Sequence, residues 1–219
     1  MAMTSAARKL ATHPTDQYLT VEGARLRFRD EGAGPAVLLL HGWTLDLEMW
    51  DLQVERLRQE FRLLRLDRRG HGFSSGTPSP QRDVADVDAL CRHLGLSRVA
   101  LLGMSQGARI AVAFAVSAPE RVDAVILDGP PAFDPVPVDE GVPLEHFRAV
   151  VHKHGMEAFR RAWLRHPLTQ LHTTDPQVRA HLIEREPSRL ALGITPLGPH
   201  EPEVVIAKGD RQRVERRDT

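Results

Sequence analysis

A serine held between an apolar strand and a helix is the feature that most limits what this chain can fold into. Residues 99–117 read VALLGMSQGARIAVAFAVS. The apolar run Val99 to Leu102 suits a strand, Gly103-Met104-Ser105-Gln106-Gly107 a sharp turn, and the Ala/Val-rich segment after it a helix. In G-x-S-x-G the serine occupies a strained strand-to-helix turn that lifts its Oγ above the edge of a sheet. Small residues on both flanks let strand and helix pass close together.

The segments before this turn repeat a strand–helix rhythm. Gln17–Glu22 and Ala24–Asp30 alternate apolar and polar residues around Gly23, the pattern of an antiparallel hairpin. Ala36 to Leu40, AVLLL, has no polar face and suits a strand covered on both sides. His41-Gly42-Trp43 bends the chain at glycine. There the backbone N–H of Trp43, with that of Gln106, predicts a two-donor oxyanion hole. Residues 48–60 read as a helix and Phe61 to Leu66 as a strand. Asp67-Arg68-Arg69-Gly70-His71-Gly72 forms an irregular loop, in which Asp67 and Arg68 brace the turn and His41 and His71 are read as structural. A helix over 81–93 follows, with apolar positions 84, 87, 90, 91 and 94 at helical period. Asp83 and Asp86 are read as favouring its dipole. After the serine turn, a helix over 106–117 and a strand over 121–127 complete an alternation that predicts a mostly parallel α/β sheet. Asp128 then stands at the C-terminal end of a strand, the edge where ligand crevices form in such sheets.

Composition narrows the partners. The chain has 219 residues, 29 basic and 29 acidic, hence no net field to attract nucleic acid or an anionic membrane. The single cysteine, Cys91, excludes an intramolecular disulfide. No apolar run reaches the length of a membrane span, and the N-terminal stretch lacks the apolar segment of a signal peptide, so a cytoplasmic location is expected. The expected partner is a small, apolar or moderately polar acyl compound. No cofactor or metal is called for: His152 and His154 alone make a weak metal pair and are read as a solvated helix face.

The C-terminal third departs from the rhythm. Residues 131–143 are proline-rich, 144–166 read as helical with Phe147, Phe159 and Trp163 among the apolar content, and Thr174-Asp175-Pro176 starts a second helix. Together they suggest a lid that excludes water from a substrate pocket. Two assignments of acid and base stay open. In the first, 203–207 is a strand and Asp210 the acid, but no histidine follows it. In the second, His200 is the base and Asp128 the acid, with 203–207 starting a terminal helix and the sheet losing a strand or two.

With these residues in place, the chain resembles the α/β-hydrolase superfamily. AVLLLHGW at 36–43, LDRRGHGFSS at 66–75, GMSQG at 103–107 and DAVILDGP at 123–130 carry the resemblance, in that order and at suitable spacing. Among its members the chain looks like serine esterases, enol-lactonases and carbon–carbon bond hydrolases; dehalogenases and epoxide hydrolases carry aspartate where Ser105 stands. The resemblance implies an eight-stranded sheet, a lid between strands six and seven, Ser105 as nucleophile, and the amides of Trp43 and Gln106 as oxyanion donors. It places an acid after strand seven, matched by Asp210, and a histidine after strand eight, which has no match. The expected organisation is a core over 17–130, a helical lid over 131–190, and an incomplete or atypical core end over 191–219. The expected activity is hydrolysis of an ester or lactone through an acyl-enzyme. The alternatives are a truncated or non-catalytic protein of the same fold, or a carbon–carbon bond hydrolase using the same serine. A sheet edge left open by missing strands would favour a dimer.

Overall fold

The computed structural model describes residues 15–129, 143–167, 176, 204–208 and 215–216. An eight-stranded mixed sheet forms its centre, in the order β1-β2-β4-β3-β5-β6-β7-β8. The strands are β1 (Gln17–Val21), β2 (Ala24–Glu31), β3 (Ala36–Leu40), β4 (Arg62–Leu66), β5 (Val99–Met104), β6 (Val122–Asp128), β7 (Val204–Lys208) and β8 (Glu215–Arg216). Strands β4, β3, β5 and β6 run parallel at the centre, while β1, β2, β7 and β8 join by antiparallel pairing. The helices are α1 (Asp51–Leu57), α2 (Pro80–His93), α3 (Gln106–Ser117) and α4 (Leu144–Trp163).

The expected strand over 203–207 is present as β7, displaced by one residue and antiparallel to β6. The alternative in which this segment starts a helix is therefore corrected. Val204, Val205 and Ile206 are β-branched, which disfavours a helical turn and suits a pleated surface. The expected helix over 48–60 is shorter, a 3-10 turn at Leu47–Trp50 running into α1. Asp46 caps it through Glu48 N–H at 2.9 Å. The expected helix over 144–166 exists as α4 but is broken at Gly155, whose φ of 79° and ψ of 175° are not helical.

The AVLLL strand is covered on both sides. Leu38 and Leu40 join Leu64, Leu66, Leu101, Val87, Leu90, Ile110 and Phe114 beneath α2 and α3. Leu39 points the other way, into a smaller cluster with Trp50, Val54 and Leu63. Each fully buried side chain of this kind contributes about 1.5–3 kcal/mol.

Two arginines of the hairpin do not face water. Arg27 and Arg29 of β2 and Arg65 of β4 are buried on the sheet face that carries the 3-10 turn and α1. Arg27 Nε donates to Asp67 at 2.7 Å and Arg29 Nε to Asp16 at 2.6 Å. Glu48 accepts from Arg29 at 3.1 Å, and Arg65 pairs with Glu31 and Asp51. Asp83 and Asp86 do more than favour a helix dipole. They share the core-facing side of α2 with Val87 and Leu90, and they hold the two arginines of the Asp67–Gly72 loop. Asp86 takes Arg69 Nε at 3.0 Å and Nη2 at 2.7 Å, a bidentate pair with both residues buried.

Removing one member of such a pair leaves a charge stranded in the interior, at a cost of about 3–5 kcal/mol. Asp86→Ala is expected to lose that much stability in urea unfolding. Adding Arg69→Met to the same protein should recover at least half of the loss, and a double variant no more stable than Asp86→Ala would refute the pairing.

Candidate active site

The serine turn is built by close packing. Ser105 adopts φ 51° and ψ −115°, a left-handed backbone that non-glycine residues rarely hold. Its N–H donates to the carbonyl of Asp128 at 2.8 Å, which ties the end of β5 to the end of β6. A Cβ on Gly103 would meet the Gly107 carbonyl oxygen at 2.4 Å, and one on Gly107 would meet the Leu40 oxygen at 2.1 Å. Only glycine fits at either place. The first turn of α3 therefore rests on the carbonyl end of β3, where Leu40 pairs with Gly103 across the sheet.

This contact brings His41-Gly42-Trp43 beside the start of α3. Gln106 is the first residue of that helix, so its N–H belongs to the terminal donors that have no partner within the helix. Beneath the turn lies a buried polar cluster. Arg68 N–H donates to His41 Nε2 at 3.0 Å, so the His41 proton sits on Nδ1, which donates to the Gly42 carbonyl at 2.7 Å. The Arg68 guanidinium donates through Nη2 to Gln106 Oε1 at 2.7 Å and to Gly42 O at 3.2 Å, and through Nη1 to Asp83 at 3.3 Å. Asp67 accepts from Leu47 N–H at 2.7 Å and Phe73 N–H at 2.8 Å in addition to Arg27.

Burial sets the protonation states. It holds His41 well below the usual histidine range, with Arg68 and His71 adding to the shift. It also lowers His71 to about 3, with Arg68 acting in the same direction. Burial pushes Asp67 and Asp83 up to about 6, against the pull of Arg27 and Arg68 respectively. Neutral, doubly engaged and locked in place, His41 serves the turn as a brace.

Over the turn sits α4. Trp43, Phe147, Phe159 and Trp163 form an aromatic cluster, with Trp43 edge-on to Trp163 at 5.0 Å and Phe159 stacked on Trp163. Trp163 Nε1 donates to Thr44 Oγ1 at 3.0 Å. Trp43 thus packs with its indole into the helix above while its backbone belongs to the turn below.

Of the residues expected to act, the structure brings Ser105, Gln106, Asp128 and the Trp43 turn to the carbonyl edge of the central strands. Asp128 is half-buried and its carboxyl is raised by that burial. His200 and Asp210 lie outside the described residues, as does most of 131–190. His152 and His154 are exposed on α4. The sequence reading missed the links from Arg68 to Gln106 and Gly42. A signal was present: Asp83 and Asp86 fall on the apolar face of α2, and carboxylates aimed at a core require cations, which Arg68 and Arg69 supply.

Comparison with known proteins agrees with this fold. The profile described as the alpha/beta hydrolase fold matches residues 35–162. The chain belongs to that family. It is 40% identical over 105 residues to a pimeloyl-[acyl-carrier protein] methyl ester esterase of Pectobacterium atrosepticum, covering 47% of this chain and 40% of the esterase. A hydrolase structure from Pseudomonas aeruginosa PA01 superposes with a TM-score of 0.63 at 30% identity, covering 78% of this chain and 66% of that one. The enol-lactonase from Burkholderia xenovorans LB400 gives 0.59 at 28% identity, covering 68% and 58%. The chain spans 34% to 41% of the length of the first curated relatives it matches. Its relatives of this fold thus include an esterase and an enol-lactonase. Among the described residues no helix is long and apolar enough to cross a membrane.

Two outcomes test the site's construction. Gly107→Ala must displace the first turn of α3 from Leu40, and overpacking of this kind costs about 1–3 kcal/mol; thermal unfolding should show a lower midpoint. The second concerns acid. His71 titrates near 3 when folded and near 6.5 when unfolded, so between these values the unfolded chain binds more protons and stability falls as pH falls. From pH 7 to pH 5 this amounts to about 2 kcal/mol. Asp67 and Asp83, raised to about 6, act in the opposite sense over much of the same window. His71→Gln should therefore lose about 2 kcal/mol less than the wild type between pH 7 and pH 5 in parallel urea titrations.

Proposed function

We propose that this protein is a serine hydrolase that cleaves an ester or lactone of a small organic acid through an acyl-enzyme. The observation that carries the proposal is the strained backbone of Ser105 between β5 and α3. A serine is held at φ 51° only where the surroundings enforce it, and here two glycine contacts do so. In this reading the strain lifts Oγ at the strand edge towards the amides of Gln106 and the Trp43 turn.

In this reading Ser105 attacks the substrate carbonyl as a base takes its proton. The N–H groups of Trp43 and Gln106 stabilise the oxyanion. The base returns the proton to the leaving alkoxide, then activates water to release the acid. We assign the base to His200, with Asp128 or Asp210 fixing its tautomer. Asp128 has support from its position, since its carbonyl already holds the Ser105 amide. The likeness to a methyl ester esterase and an enol-lactonase supports an ester or lactone as the bond cleaved. The aromatic cluster of Trp43, Phe147, Phe159 and Trp163 favours an apolar acyl group over a sugar or a phosphate.

The test is turnover of p-nitrophenyl acetate and butyrate. Ser105→Ala should lower kcat by about a thousandfold or more, and a fluorophosphonate should label Ser105 in the wild type. Turnover equal in the two proteins would remove Ser105 as nucleophile. Neither turnover nor labelling would leave a non-catalytic protein of the same fold.

A further inference from the structure

We propose that Arg68 is a positioning residue for the oxyanion hole: its guanidinium clamps the two segments that supply the donor amides. The inference rests on the serine-hydrolase reading above and adds to it the residue that sets the donors' geometry.

The argument starts from the peptide plane. Gly42 C=O and Trp43 N–H belong to one planar unit and point in opposite directions. Whatever fixes the carbonyl therefore aims the amide. The Gly42 oxygen accepts from both Arg68 Nη2 at 3.2 Å and His41 Nδ1 at 2.7 Å. Two donors from different side chains leave that plane little freedom to rotate. A hydrogen bond from a cation also draws electron density from the carbonyl, which makes the N–H of the same peptide a stronger donor.

The second donor is held by the same nitrogen. Arg68 Nη2 donates to Gln106 Oε1 at 2.7 Å, the shortest bond the guanidinium makes. Gln106 is thereby fixed by its side chain as well as by the start of α3. The spacing between the two donors is then set by one planar, rigid group rather than by two independent loops. Asp83, from α2, orients the guanidinium through Nη1 at 3.3 Å. The Arg68 backbone adds a third tie, donating to His41 Nε2. With Arg68 only 3% exposed, the cluster is shielded from water and the guanidinium is not a contact for substrate.

Two variants separate positioning from simple support. Arg68→Lys keeps the charge but not the fork. Arg68→Met combined with Asp83→Asn removes the charge without stranding its carboxylate, and keeps the backbone bond to His41. Both are measured with p-nitrophenyl butyrate, with a boronic acid that mimics the tetrahedral adduct, and by the amide resonance of Trp43 in proton–nitrogen NMR spectra. The expected result is a kcat lower by about 10- to 100-fold with KM within about twofold. Boronate affinity should fall with kcat, and the Trp43 amide resonance should move upfield. A properly folded variant with kcat and boronate affinity within about twofold of wild type, while Ser105→Ala is inactive, would overturn the role of Arg68 and leave the serine hydrolase standing. If the wild type neither turns over nor labels at Ser105, the functional reading fails. The Trp43 resonance then decides the clamp by itself: an upfield shift on loss of the guanidinium upholds it, and an unchanged or downfield-shifted resonance refutes it.

Discussion

The site depends on a backbone contact too close for any side chain. The first turn of α3 lies directly on the carbonyl end of β3, with Gly107 over Leu40 and Gly103 under Gly107. This single approach forces Ser105 into its left-handed conformation, sets the start of α3 beside the Gly42–Trp43 peptide, and fixes which strand ends share an edge. Because the parallel pairing Leu40–Gly103 sets the two ends level, a slip of register would separate the serine from the turn that faces it. Geometry at the serine turn is thus inherited from sheet register, not from the local sequence of the turn alone.

Charge does the bracing that apolar packing does elsewhere. Beneath the edge, Asp67 gathers Leu47, Phe73 and Arg27, and so links the segment after β3, the loop after β4 and the hairpin. Buried ion pairs of this kind are weak sources of net stability, because desolvation offsets much of the attraction. Their contribution here is directional. A carboxylate with several donors has one orientation that satisfies all of them, and an apolar side chain in its place would hold none of those loops.

Much of this was legible in the residues. The helix over 106–117 has the boundaries the sequence implies, since Ser105 breaks the helical backbone before it and Pro119 prevents continuation beyond Ala118. The uniform apolar run Ala36–Leu40 announces a strand buried on both faces. Other features depend on tertiary partners that no local pattern displays. Arg27 and Arg29 occupy the alternate positions that a hairpin normally offers to water, and only the arrival of Asp16 and Glu48 makes their burial possible. The helical period of 144–166 gives no notice of the break at Gly155, because glycine tolerates a helix interior as well as a kink. Asp128 stands where its strand predicts, but its bond to the serine runs through the main chain, where side-chain chemistry leaves no trace.

Trp43 belongs to two layers at once. Its main chain forms the turn beside α3, while its indole is wedged among Phe147, Phe159 and Trp163, and its neighbour Thr44 takes a hydrogen bond from Trp163. Cover and floor are consequently one mechanical part. A shift of α4 away from the sheet would drag the indole with it and twist the Gly42–Trp43 peptide at the turn beside α3. If Ser105 acts as proposed, with the Trp43 amide as one of its donors, the centre would be armed only while it is roofed, and water reaching an open cleft would meet a serine without its full set of donors.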